Sequence, residues 1–154
     1  MKKTKFTLYG LLIGAVCAVY GSAIIALLVT LIYYGSRIFS AFWPDILMLI
    51  LIVIFFSVMY SIVPGAVGGL YLARWIGQSE RTPEEIRQRG LIVGAAAGVA
   101  VSAFVASVIL QFNMDALMTA YALLAILVSA GMSWLAASLL AKDRKKFITS
   151  NPLP

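Results

Sequence analysis

Four long stretches of the chain carry no charge: Leu8 to Tyr34, Ile46 to Ala73, Leu91 to Met114 and Ala116 to Ala141, of 27, 28, 24 and 26 residues. Each exceeds the roughly 20 residues a helix needs to cross the hydrocarbon core of a bilayer. Backbone N–H and C=O groups find no water in lipid, so each stretch is expected to be a helix. The pattern predicts an all-α, polytopic membrane four-helix bundle forming one domain over residues 1–154. Spanning helices are expected at about 8–34, 45–73, 90–111 and 115–141. A cytoplasmic loop, 74–89, holds the start of the third helix near residue 83, and a tail runs over 142–154.

Small residues recur every fourth position inside these stretches. The first has Gly10, Gly14, Ala18, Ser22, Ala26 and Thr30; the second has Ser57, Ser61, Gly65, Gly69 and Ala73. The third has Gly90, Gly94, Gly98, Ser102 and Ala106; the fourth has Ala125, Ser129, Ser133, Ala137 and Ala141. Leucine gains little by leaving lipid for another helix, so hydrophobicity does not join helices there. Close backbone approach, dispersion and a few interhelical hydrogen bonds do, and small faces permit all three. The expected packing positions are Gly10, Gly14, Ser22, Ser61, Gly65, Gly69, Gly90, Gly94, Gly98, Ser102, Ser129, Ser133 and Ala137. These faces are expected to pack within the chain, with docking to other membrane chains or self-association as the competing use.

The first and third stretches also echo each other. At an offset of 80, Gly10, Leu11, Gly14, Ala15, Val19, Ser22, Ala23 and Ala26 match Gly90, Leu91, Gly94, Ala95, Val99, Ser102, Ala103 and Ala106. The second and fourth begin "DILM" at Asp45 and "DALM" at Asp115, a weaker echo at offset 70. Two tandem two-helix hairpin repeats in parallel orientation are expected, related by an axis along the membrane normal.

Charge gives the direction of insertion. Lys2, Lys3 and Lys5 precede the first stretch, Arg74, Arg81, Arg87 and Arg89 separate the second and third, and Lys142, Arg144, Lys145 and Lys146 follow the fourth. Arg37 alone lies on the other side. The asymmetry places both termini in the cytoplasm of a multi-pass cell-membrane protein. The net charge of +6 is then a topology signal, with no nucleic acid implied. Lys142, Arg144, Lys145 and Lys146 are candidate lipid headgroup contacts. The first stretch is much longer than a 7–15-residue signal-peptide core, which predicts an uncleaved anchor.

The connections carry local signals. Tyr33, Tyr34, Phe39, Phe42 and Trp43 concentrate at one membrane surface, as an interfacial aromatic belt does. Pro44 with Asp45, and Asn113 with Asp115, suit the first turns of the second and fourth helices. Thr82, Pro83 and Glu85 read as a capping box, with Glu85 placed to pair with Arg89. The tail "KDRKKFITSNPLP" is expected to fray. Pro64, Gly65 and Gly68 mark a candidate kink or pathway in the second helix.

The missing chemistry narrows function most. No charged residue or histidine lies within the apolar stretches, although proton relays and ion-coupled sites depend on such groups. With no histidine and only Cys17, which is expected to be a packing residue, neither a metal centre nor another cofactor is expected. The chain is not expected to be an enzyme. The layout of glycine-rich first and third helices resembles the duplicated rotor-ring proteolipid of vacuolar-type ATPases. That family carries ions on a carboxylate midway along an outer helix. The corresponding segments, "LLAILVSAGM" and "LIVIFFSVMY", hold no acid, so the resemblance stops at layout. The expectation is a non-catalytic accessory or scaffold subunit of a larger membrane complex. The alternative is a small transporter or channel component passing a neutral solute near Pro64 and Gly65, with Tyr20, Ser22, Tyr60, Ser61, Ser102 and Ser133 as polar contacts.

Overall fold

A computed structural model describes residues 2–35, 43–78, 81–108 and 116–148. Among them the chain is all helical, with no strand: α1 spans Lys2–Tyr34, α2 Trp43–Gln78, α3 Pro83–Val108 and α4 Ala116–Ile148. Gly35 closes α1 in the left-handed region at φ 48°, a conformation that side chains with a Cβ resist. The capping box at the start of α3 forms. The Glu85 amide donates to Thr82 Oγ1, and the Thr82 amide donates to Glu85 Oε2, both at 3.3 Å. The outer-surface aromatics from Phe39 to Phe42, and Asn113 with Asp115, lie outside the described residues, as do the side chains of Tyr33, Tyr34, Trp43 and Asp45.

Helices outrun their apolar stretches at the basic end. α2 continues through Arg74 to Gln78 and α4 through Lys142 to Ile148, so the tail expected to fray is helical as far as Ile148. Lysine and arginine are good helix formers, so the basic residues allow both helices to continue beyond the apolar stretches. α2 also runs without interruption through Pro64. The ring removes one N–H from the helical hydrogen-bond ladder.

α1 packs along α2, and α3 along α4; α1 also faces α4, while α2 approaches α3 and α4 much less. The contacts are antiparallel and made through the smallest residues. A Cβ added at Gly10 would meet Ala73 and lie 2.6 Å from the Gly69 carbonyl; one at Gly14 would strike the Gly65 carbonyl and lie 2.8 Å from Gly69 Cα. In the other pair, a Cβ at Gly90 would lie 2.6 Å from Ala137 Cβ and 2.8 Å from the Ser133 carbonyl. One at Gly94 would meet the Ser129 carbonyl, and one at Gly98 would lie 2.7 Å from Ile126 Cα. These backbones touch closely enough that no side chain fits between them.

The densest core sits toward the basic end, where Phe6, Leu72, Ile76, Ile86 and Leu140 are buried around Ala73 and Ala137. Large apolar side chains elsewhere point outward: Leu8, Leu12 and Leu27 on α1, Leu51, Phe55, Met59 and Val63 on α2, Leu123 and Leu127 on α4. Two segments, Thr4–Ile32 and Thr119–Arg144, are long and apolar enough to cross a membrane. Only 33% and 22% of their most apolar windows are buried within the fold. Small residues make the helix contacts, and alongside the buried core many large apolar side chains face outward, forming an apolar surface unusual for a protein in water.

Candidate functional site

The short side chains that bring backbones together within each helix pair leave little to fill the space between the pairs. A cavity of about 70 Å³ results, lined from all four helices. α1 contributes Gly14, Cys17, Ala18, Gly21, Ser22 and Ile25; α2 contributes Ser61, Pro64, Gly65, Gly68, Gly69 and Leu72. Across from them stand Val93, Gly94, Ala97 and Val101 of α3, with Tyr121, Ala125, Ser129, Met132, Ser133 and Ala136 of α4. Met132 and Val93 partly plug the gap. A Cβ added at Gly21 would lie 3.2 Å from the Met132 side chain, and one at Gly68 would lie 3.1 Å from Val93. No charged side chain lines the cavity. Among the described residues, no three His, Cys, Asp or Glu side chains gather into a metal-binding group.

Hydroxyls supply the cavity's polarity. Ser22 donates to its own helix at the Ala18 carbonyl, 2.8 Å away, and its oxygen shares a short hydrogen bond with Ser61 across the α1–α2 contact. Such interhelical bonds in lipid average about 0.6 kcal/mol. On the opposite wall, Tyr121, Ser129 and Ser133 follow the same four-residue spacing along α4.

The expected polar contacts divide. Ser22, Ser61 and Ser133 line the cavity. Tyr20 is 64% exposed on the outer surface, Tyr60 packs against Phe104 with ring centroids 4.9 Å apart, and Ser102 is buried with its hydroxyl on the Gly98 carbonyl at 2.8 Å. Tyr121, Ser129 and Cys17 were not among the expected pathway contacts. Tyr121 and Ser129 were findable, because Tyr121, Ala125, Ser129 and Ser133 share one four-residue register.

A second polar cluster holds the basic end together. Arg89 was expected to pair with Glu85, but it donates to Tyr71 Oη at 2.6 and 3.2 Å and lies 5.7 Å from the Trp75 ring. Glu85 is occupied by the cap. Arg81 covers Trp75 at 4.7 Å and Arg87 faces Trp134 at 5.5 Å, so arginine–aromatic contacts link α2, α3 and α4. Of the candidate headgroup residues, Lys142 is exposed and shares a groove with Arg87, and Arg144 is half-buried. The side chains of Lys145 and Lys146 lie outside the described residues.

Tyr9 closes α1 onto α4 by donating to Asp143 at 2.7 Å. Tyr9→Phe is expected to cost about 1 kcal/mol, the net worth of one hydrogen bond. Denaturation in mixed micelles, with Asp143→Asn completing a double-mutant cycle, measures it; strictly additive losses would show that the bond contributes nothing. The chain matches no known protein family, no curated protein and no solved structure.

Proposed function

We propose that the chain is a multi-pass integral membrane protein whose four helices form a bundle with both termini in the cytoplasm. In this reading it serves as a non-catalytic accessory or scaffold subunit of a larger membrane complex. The observation that carries the reading is the combination of glycine, alanine and serine at the helix contacts with many leucine, phenylalanine and methionine side chains exposed along the same helices. Such a surface is stable in lipid and a liability in water. α2 and α3 complete the spans because their charge-free stretches match those of α1 and α4 in length. Eleven of the twelve basic residues fall on the proposed cytoplasmic side.

The packing also supports two tandem hairpins. Gly10 and Gly14 meet Ala73, Gly69 and Gly65, while Gly90 and Gly94 meet Ala137, Ser133 and Ser129. Corresponding positions are 80 residues apart in the first helices and 64 in the second. The contacts therefore use a different register from the "DILM"/"DALM" echo at offset 70. The sequence matched helix starts, whereas backbone proximity selects the small-residue faces.

Crosslinking in native membranes, followed by identification of the joined chain, tests the scaffold role. A defined membrane partner or self-association is expected; a stable monomer that crosslinks to nothing overturns it. The cavity favours a second reading, passage of a small neutral solute beside Pro64 and Gly65. A solute flux in proteoliposomes that Pro64→Ala leaves unchanged would count against that placement.

A further inference from the structure

α3 and α4 meet backbone to backbone where Gly90 faces Ala137. Beside that contact, toward the basic end, a groove opens between Pro83 and Arg87 of α3 and Ser138, Leu139, Ala141 and Lys142 of α4. Arg87 and Lys142 are both exposed, and neither forms an ion pair among the described residues. The nearest acids do not neutralise them. Glu85 is held by the cap of α3, Asp143 accepts from Tyr9, and Glu84, exposed three residues before Arg87, makes no ion pair with it. The Arg87 guanidinium instead lies 5.5 Å from the centroid of the Trp134 ring. A ring contact orients a guanidinium and leaves N–H donors for a second partner.

The groove continues into apolar surface. From Lys142 toward the middle of α4, Leu139, Leu135 and Trp134 are all exposed, and all three lie within the charge-free stretch that ends at Ala141. Two cations at the head of an apolar strip match an occupant that is anionic at one end and a long hydrocarbon at the other. A nucleic acid or an acidic peptide would meet the cations and leave the strip uncovered.

We propose that the α3–α4 groove binds one anionic phospholipid, its phosphate between Arg87 and Lys142 and an acyl chain along Leu139, Leu135 and Trp134. The site rests on the bilayer placement proposed above, and it replaces a general attraction of the basic tail for lipid with a single position that includes Arg87. Arginine offers paired donors to phosphate oxygens, and lysine adds a compact positive charge. A headgroup with its own ammonium brings a third cation against these two, so phosphatidylglycerol is preferred to phosphatidylcholine.

The full chain, purified in a neutral detergent, is titrated with dioleoyl phosphatidylglycerol or dioleoyl phosphatidylcholine, and bound lipids are counted by native mass spectrometry. One phosphatidylglycerol per chain is expected to be retained, in preference to phosphatidylcholine. Arg87→Gln with Lys142→Gln should weaken its binding about tenfold, the loss of two exposed charge contacts. Lys5→Gln with Arg74→Gln removes as much charge from exposed positions at the same end of the protein but outside the groove. That pair should leave the affinity nearly unchanged. Glutamine keeps the helix propensity of the residues it replaces, so both pairs should fold. Equal weakening by the two pairs overturns the site, because it would reduce the binding to overall surface charge. Equal retention of the two lipids overturns it as well. Inorganic phosphate at the lipid's concentration is expected to displace nothing; displacement would overturn the lipid assignment in favour of a free anion. Carbonate extraction separates the site from the reading beneath it. A wild-type chain recovered in the soluble fraction overturns the bilayer placement, whereas an integrated chain with no preference for phosphatidylglycerol overturns the groove alone.

Discussion

Replacing Gly14 by leucine is expected to force α1 away from α2 and cost about 3 kcal/mol or more. The same substitution at Gly131 should be neutral or slightly stabilising. Both glycines are helical, and leucine has the better helix propensity by up to about 1 kcal/mol, so intrinsic preference favours leucine equally at each. Their surroundings differ. A Cβ at Gly14 would press on the Gly65 carbonyl and lie 2.8 Å from Gly69 Cα, and backbone cannot rotate out of the way as a side chain can. At Gly131, a Cβ would meet nothing within 4 Å. Gly94→Leu should behave like Gly14→Leu, because its Cβ would meet the Ser129 carbonyl and lie 2.8 Å from Ala130 Cα. Unfolding in mixed micelles followed by circular dichroism measures all three. Equal losses at Gly14 and Gly131 would mean that the α1–α2 contact does not hold the fold together.

These glycines also show how far the sequence reads on its own. Their four-residue spacing identifies the face of each helix that stays thin, because 3.6 residues per turn keeps positions four apart nearly in line. Spacing does not identify the partner. That Gly10 meets Ala73 and Gly90 meets Ala137 follows from where each chain reversal falls, which no helical pattern encodes. The cavity was half legible for the same reason. Ser22 and Ser61 belong to stripes and were marked, whereas Tyr121 extends the α4 stripe toward its start and was hidden by its bulk. Arg89 shows a different limit. A carboxylate four residues earlier is the local favourite, but the cap takes Glu85, and the adjacent helix presents Tyr71 and Trp75. Proximity between elements decides that contest.

The way the fold satisfies its polar groups connects to the solvent it occupies. At the basic end, arginines spread over aromatic rings and Tyr9 reaches Asp143, contacts suited to a wet boundary. Deeper in, polarity is reduced to hydroxyls, mostly folded back onto their own helices. The grading from ionic contacts to hydroxyls fits the proposed passage from cytoplasm into hydrocarbon.

Leu127→Asp and Met59→Asp provide the strongest test of that solvent, because water and lipid predict opposite outcomes. Leu127 is 68% and Met59 56% exposed, each near the middle of a charge-free stretch. In water, an aspartate at an exposed position changes stability by no more than about 0.5 kcal/mol and improves solubility. In lipid, the same aspartate sits at the depth where burying a carboxylate costs about 3 kcal/mol. Each substitution is therefore expected to cut the membrane-integrated fraction sharply, and the pair together should nearly abolish it. Gln88→Asp, exposed in the basic segment of α3, should leave integration unchanged. Carbonate extraction of membranes from cells expressing each variant gives the comparison. Full integration of the double variant, or its recovery as a folded soluble protein, would show that the leucine and methionine surface faces something other than acyl chains.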